Sequence, residues 1–185
     1  MPNLNFVPFP ELITERLLLR QLTPGDAQEI YTLRSDEGIN KFIDRLKAVS
    51  IADAFDFIAK INDKIINNEG VFWAIALKNN PVLIGTICYW NFLKEDNSAE
   101  IGYEMLTAFH GRGIMQEAIE KIIHFGFDNM QLERITAFSH RDNDSSIRLL
   151  ENNNFTRNEK PEQKTIHDDV DLVVSYTLSR PDYIY

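Results

Sequence analysis

Apolar positions along this chain recur with two periods, and each change of period marks an element. Arg16 to Gln21 reads as a first strand, and Thr23-Pro24 then starts a helix, with proline at the first position where its missing N–H costs nothing. Ser50 with Asp53 has capping-box spacing and opens a second helix, whose Ile51, Ala54, Phe55, Ile58, Ile61 and Ile65 predict one core face. Val71 to Leu77 and Val82 to Trp90 are strand-like, with Asn79-Asn80-Pro81 as the turn between them. A further strand runs from Ala99. The spacing then predicts a helix from Arg112 to Phe127, with Met115, Ala118, Ile119, Ile122 and Ile123 on one face. Arg134 to Ser139 is the next strand, a short helix follows Asn143, and a last strand lies near 170–178. Strand, helix and strand make a right-handed crossover, so the strands at 99–106 and 134–139 should be parallel. No repeat, low-complexity tract or linker interrupts the pattern, and residues 1–185 read as a single domain with its own core.

The chemistry concentrates in Ala99 to Glu117, AEIGYEMLTAFHGRGIMQE. Here a strand runs into a turn whose glycines, Gly111 and Gly113, open a helix. Glycine allows close backbone approach, and the first turn of a helix offers free N–H groups and a positive dipole end. The combination suits a phosphate or pyrophosphate. It is not a Walker A loop, because Gly113 is followed by Ile114 and Met115 rather than Lys and Ser/Thr. Nor is it a dinucleotide fingerprint, because Gln116 stands where the third glycine belongs. Arg112, with His110, Arg141 and Arg148 in or beside the neighbouring segments, can add positive charge for such an anion.

A second segment, Asn143-Asp-Ser-Ser146-Ile-Arg-Leu-Leu150-Glu-Asn-Asn-Asn-Phe155, follows the next strand. Together the two segments resemble the GNAT superfamily of acetyl-CoA-dependent N-acetyltransferases, in its ribosomal-protein N-terminal (RimJ/RimL-type) branch. The opening Glu-Arg-Leu-Leu-Leu-Arg (15–20) and the closing Val170 to Leu178 also look like this branch. His110 stands where the family has Gln or Arg, Met115 where it has Ala or Gly, and Asn154 where it has Gly. Asn tolerates the left-handed end of a helix, and Met115 keeps its backbone N–H.

The resemblance implies an α+β, three-layer fold: a mixed, mostly antiparallel sheet of six to seven strands with a parallel splayed pair, flanked by about four helices. It implies acetyl-CoA as cosubstrate, with no metal. The cofactor would be held by Met105, Leu106, His110, Gly111, Arg112, Gly113, Ile114, Met115 and Asn143. The splay would leave backbone groups near Met105 and Leu106 unpaired for the pantetheine amides. The region between the first two helices would shape the acceptor pocket, with Phe42 and Trp90 as lining residues.

Direct attack of an amine on a thioester needs a proton acceptor for the amine, donors for the carbonyl oxygen and a donor for the departing thiolate. Glu100 matches the place of the base in the histone acetyltransferase branch, though a solvated strand carboxylate would look the same in sequence. Glu104, Glu159, Glu162 or water remain open for that role. Many family members place a thiolate-protonating Tyr where this chain has Leu150. Ser146 matches the serine that the ribosomal branch sets near the sulfur, and it also suits a helix first turn; Asn143 suits an N-cap. Cys88 in a strand reads as a buried thiol. His124 with Glu120 and Asp128 reads as a solvated helix face rather than a metal site.

Composition narrows the partners. The chain is 44% hydrophobic and 25% charged, the balance of a soluble globular protein, and its formal charge is −9. General nucleic-acid binding is disfavoured by that charge, while a cationic acceptor such as an amine, or a basic protein N-terminus, is favoured. The first residues lack a signal-peptide pattern, no apolar run reaches membrane-spanning length, and the single cysteine agrees with a reducing cytoplasm. A monomer or homodimer fits equally. The competing functions are a CoA-binding module without catalysis, and the same enzyme acting on a polyamine, an amino acid or an aminoglycoside.

Overall fold

The computed structural model describes residues 2–159 and 172–183. Among them eight strands form one sheet in the order β1-β2-β3-β4-β5-β6-β8-β7. The strands are β1 (Leu12–Ile13), β2 (Leu17–Gln21), β3 (Gly70–Leu77), β4 (Asn80–Leu93), β5 (Ser98–Met105), β6 (Arg134–His140), β7 (Thr156–Arg157) and β8 (Val173–Ser179). The count exceeds the expected six to seven because of the two-residue β1 and β7, which pair only at the sheet's margins. All neighbours are antiparallel except β5 and β6. Five α-helices flank the sheet: α1 (Ala27–Ser35), the single-turn α2 (Glu37–Asn40), α3 (Ile51–Ile66), α4 (Ile114–His124) and α5 (Asp144–Asn152). Among the described residues no helix is long and apolar enough to cross a membrane.

Local chemistry explains the helix starts. Pro24 begins a 3-10 turn that leads into α1, and the Asp26 carboxylate accepts from Thr23 N at 2.8 Å. The same carboxylate takes a two-pronged contact from Arg20 of β2, at 2.8 and 2.6 Å, which ties the helix start to the sheet. Asp53 accepts from Ser50 N at 2.9 Å, completing the expected box at the start of α3. The turn between β3 and β4 falls earlier than the sequence suggested. Leu77 pairs with Asn80, and Pro81, which has no N–H for the ladder, sits beside the irregular register.

Side-chain alternation divides the core into two layers. Ala74 of β3 packs with Leu22, Ile30, Leu33, Ala54 and Ile58 on the α1/α3 side. Trp73, Ile87, Tyr89 and Ile101 pack with Ile119, Ile122 and Phe127 on the α4 side. The face of α3 is shorter than its periodicity suggested: Ala54, Ile58, Ile61 and Ile65 are buried, whereas Ile51 and Phe55 are 40% and 47% exposed. Periodicity identifies a face, but only the reach of the packing partner decides how much of it is covered. After His124 the helix passes into a π turn, Phe125–Asn129. Tyr89 donates to the Ile122 carbonyl at 3.0 Å, and a Cβ on Gly126 would lie 2.6 Å from the Tyr89 hydroxyl, so an inserted side chain widens the helix there.

Candidate active site

Between β5 and α4 the backbone alternates hand. Gly111 and Gly113 have φ of +71° and +68°, conformations that favour glycine, with Arg112 between them. The first helical bond runs from Glu117 N to Gly113 O at 3.2 Å. The amides of residues 111 to 116 find no acceptor among the described residues, which leaves a concave row of donors at the helix start. The carbonyls of the same loop are turned away: Arg16 donates to Arg112 O and Gly113 O, each at 3.0 Å. Glu117 anchors that arginine, accepting from Arg16 N at 2.7 Å, Arg16 Nε at 2.5 Å and Thr14 Oγ1 at 2.5 Å. A Cβ on Gly111 would meet nothing within 4 Å. The loop therefore presents N–H groups outward with their carbonyls neutralised behind them, a cradle for an anion.

β5 and β6 pair only through Ser98, Ala99 and Glu100 with Arg134, Ile135 and Thr136. Beyond that point the two strands part. Leu106 N donates to Ile84 O at 3.0 Å, so even-numbered residues of β5 aim their peptide groups at β4 and odd-numbered ones aim into the gap. The gap thus receives the N–H and C=O of Tyr103 and the N–H of Met105. The Met105 N–H is thus free as expected, whereas Leu106 is not, and Tyr103 takes its place. Leu106 N is bonded to β4, and the Met105 carbonyl lies 2.8 Å from His110 Nε2. The His110 ring thereby braces its own loop.

On the α4/α5 side of the gap, Asn143 caps α5, its Oδ1 accepting from Ser146 N at 3.2 Å and Ser145 Oγ at 2.9 Å. Its Nδ2 has no partner among the described residues. Ser146 Oγ lies 2.9 Å from the Tyr103 hydroxyl. Burial pushes the Tyr103 phenol up to about 12, and the bond to Ser146 offsets part of that rise. Leu150 is fully buried and belongs to the core.

On the opposite side, register sets Glu104, Gly102 and Glu100 beside Thr86, Cys88 and Trp90, on the face that Ala74 shares with α1 and α3. Glu100 is only 5% exposed, at the apex of the splay, with Asn91 Nδ2 at 3.5 Å from its carboxylate. Glu104 is held by Arg45 at 2.5 Å. Residues 41–50 cross this face from one splayed strand to the other: Arg45 reaches β5, and the Phe42 ring stacks 5.1 Å from that of His140 on β6. Burial raises the Cys88 thiol, which lies 3.5 Å from Gly102 O and remains an inert floor residue.

The Acetyltransferase (GNAT) domain family matches residues 16–156 of this chain. The chain belongs to the GNAT acetyltransferase family. The Uncharacterized N-acetyltransferase YoaA of Bacillus subtilis is 34% identical over 142 residues, covering 77% of this chain and 80% of its own length. Among solved structures, a ribosomal-protein-S5-alanine acetyltransferase from Vibrio fischeri superposes with a TM-score of 0.75 at 18% identity, covering 95% of this chain and 100% of its own. The Microcin C7 self-immunity acetyltransferase MccE, solved with acetyl-CoA and AMP, gives 0.76 at 22%, covering 90% and 93%. Identities this low speak for the fold alone.

This GNAT protein is an N-acetyltransferase, and its geometry can be set against the residues singled out in sequence. Gly111, Arg112, Gly113, Ile114 and Met115 come together in the donor cradle, while Met105, Asn143 and Ser146 line the gap. Leu106 packs toward α1 and α3 instead. Glu159 is exposed, and Glu162 lies outside the described residues. His124 contacts Tyr183, and among the described residues no three metal-binding side chains gather. Tyr103, Arg16, Thr14 and Glu117 were missed. Arg16 had one available signal, the co-occurrence of Glu-Arg-Leu-Leu-Leu-Arg with the glycine loop that it holds.

Proposed function

We propose that this protein transfers the acetyl group of acetyl-CoA to a primary amine by direct attack within a ternary complex, as one catalytic domain. What supports this reading is the arrangement around a single gap: donors for an anion at one end, unpaired strand groups along it, and a buried carboxylate on the far face. The amides of residues 111 to 116, with Arg112, hold the pyrophosphate. The N–H and C=O of Tyr103 and the N–H of Met105, with Asn143 Nδ2, pair the pantetheine amides. When bound, acetyl-CoA supplies the activated acyl group. Glu100, from the α1/α3 side, takes the amine proton; Ser146 donates to the departing sulfur from the α5 side.

Leu150 favours a second reading, a CoA-binding module with little turnover, since the tyrosine usual there is absent. Tyr103 beside Ser146 answers it by bringing a phenol to the same gap from a different element. The test is thiol release from acetyl-CoA against a panel of N-terminal peptides and small amines, with cofactor binding followed by calorimetry. Amine-dependent release supports the enzyme, and its acceptors define the class. Binding without release for every amine sustains the module instead.

A further inference from the structure

Arg34 lies in the last turn of α1, half-buried, with its guanidinium carbon 4.0 Å above the Phe57 ring. Among the described residues its guanidinium makes no hydrogen bond or ion pair. Its charged neighbours are Arg45 and Glu104, and those two are already committed to each other at 2.5 Å. Arg45 also donates to Asn40 Oδ1 at 2.6 Å and to Leu33 O at 3.0 Å. The other oxygen of Glu104 is 3.4 Å from Thr86 Oγ1. The cluster therefore holds two guanidinium groups against one carboxylate that is spent. Burial, then the Arg45 charge, lowers the pKa of Arg34 from its ordinary value, while Glu104 partly compensates. A partly desolvated cation facing a like charge is a cost in the free protein, and an anion seated there would relieve it.

The cluster stands on the sheet face that carries Glu100, at the open end of β5. Four residues of extended strand separate Glu100 from Glu104, ~13 Å. We propose that Arg34 is an anion-binding residue of the acceptor pocket, and that the acceptor is an amine whose molecule also bears a carboxylate or phosphate about a strand-length of four residues away. The placing of the amine near Glu100 rests on the transferase reading above. A planar guanidinium fork on an aromatic ring suits either anion. The local surplus of positive charge outweighs the acidic total as a guide to this pocket, because net charge does not say where the field is focused.

Calorimetry on the CoA-saturated protein tests the anion site without requiring turnover. The probes are triglycine against triglycinamide, 6-aminohexyl phosphate against 6-aminohexanol, and spermidine. The anionic member of at least one pair should bind about tenfold or more tightly than its neutral partner, and spermidine should bind more weakly than either anionic probe. Preference within the first pair identifies a carboxylate acceptor, within the second a phosphate. Arg34→Gln should bring the ratio close to one; Arg34→Lys, which keeps charge but loses the fork, should retain part of it. Thermal melts verify that both variants fold, and the lysine variant carries the test should glutamine fail. Equal binding within both pairs, no binding by any probe, or a preference that survives in Arg34→Gln overturns the proposal. Thiol release with the same amines separates the two readings. Anion-selective binding without release keeps the site and removes the transferase; release that ignores the anion does the reverse.

Discussion

The Tyr103 hydroxyl and Ser146 Oγ meet at 2.9 Å across the gap that opens between β5 and the start of α5. The two residues belong to different motifs, one to the strand before the glycine loop and the other to the first turn of the next helix. The raised phenol stays protonated at neutral pH. Either hydroxyl can donate in this contact; when the phenol does, the serine proton is left free to point into the gap. A hydroxyl oriented in this way is a better donor to a developing thiolate than one that rotates freely.

Tyr103→Phe and Ser146→Ala should each lower kcat by roughly tenfold to a hundredfold, a range typical of losing one transition-state hydrogen bond. The acetyl-CoA Kd should change little in either. Because the hydroxyls act as one unit, the double variant should lose less than the product of the single losses. Steady-state kinetics with calorimetry checks this. A loss confined to affinity in both variants would assign the pair to holding the helix start.

How much of this site the sequence disclosed depends on the range of the interaction. The Ser50–Asp53 box, the proline start before α1, the left-handed Asn154 and the glycine turn at 111–113 all rest on contacts within a few residues, and all appear as read. Arg16 with Glu117, Arg45 with Glu104 and Tyr103 with Ser146 join distant segments, and no local spacing encodes them. Parity explains the error at Leu106: the splay was foreseeable, but which residues aim into it depends on the β4–β5 register. Ile51 and Phe55 have the right period for a core face and lack a partner long enough to cover them.

The donor cradle can be tested with two substitutions of nearly equal shape. A side chain at Gly111 projects into open space, and Asn and Asp are the residues that best tolerate its positive φ. Gly111→Asn and Gly111→Asp should therefore destabilise the fold about equally, by ~1–2 kcal/mol. Only Asp sets a negative charge in the path of a phosphate. Acetyl-CoA affinity should fall at least tenfold further in Asp than in Asn, by calorimetry at low salt, and the difference should shrink as salt rises. Equal affinities would mean that the pyrophosphate binds elsewhere.

Carboxylates held below their ordinary pKa shape the acid limit of stability, Asp26 and Glu117 among them. For Asp26, burial alone would raise the pKa, but the Arg20 and Thr23 hydrogen bonds outweigh it and hold the group below its ordinary 3.8. For Glu117, burial is likewise outweighed by Thr14 and Arg16, leaving it below 4.5. A depressed folded pKa contributes stability that is complete above the unfolded value and lost as pH falls through the folded one. Urea midpoints should therefore hold steady from neutral pH down to about the unfolded values near 4, then drop. Asp26→Asn should cost ~3 kcal/mol at pH 7 by leaving Arg20 uncompensated, and should flatten the acid limb. An acid limb as steep as wild type would assign the loss to other groups.

Glu100 is the residue on which the chemical proposal turns. It is buried at the apex of the splay, on the face opposite Ser146, so an amine beside it would approach the gap from the side away from the cofactor's leaving group. Glutamine preserves the shape of the side chain and one acceptor oxygen, puts an NH2 donor in place of the other, and cannot take a proton at neutral pH. Glu100→Gln should lower kcat/KM about a hundredfold at pH 7, with acetyl-CoA affinity unchanged. The deficit should narrow as pH rises toward the pKa of the acceptor, because free amine then arrives already deprotonated. A purely structural role would give a deficit that stays constant with pH and a lowered melting temperature. Wild-type rates across the pH range would instead move the role to water or to another carboxylate, with Glu104 the weakest choice because Arg45 already holds it.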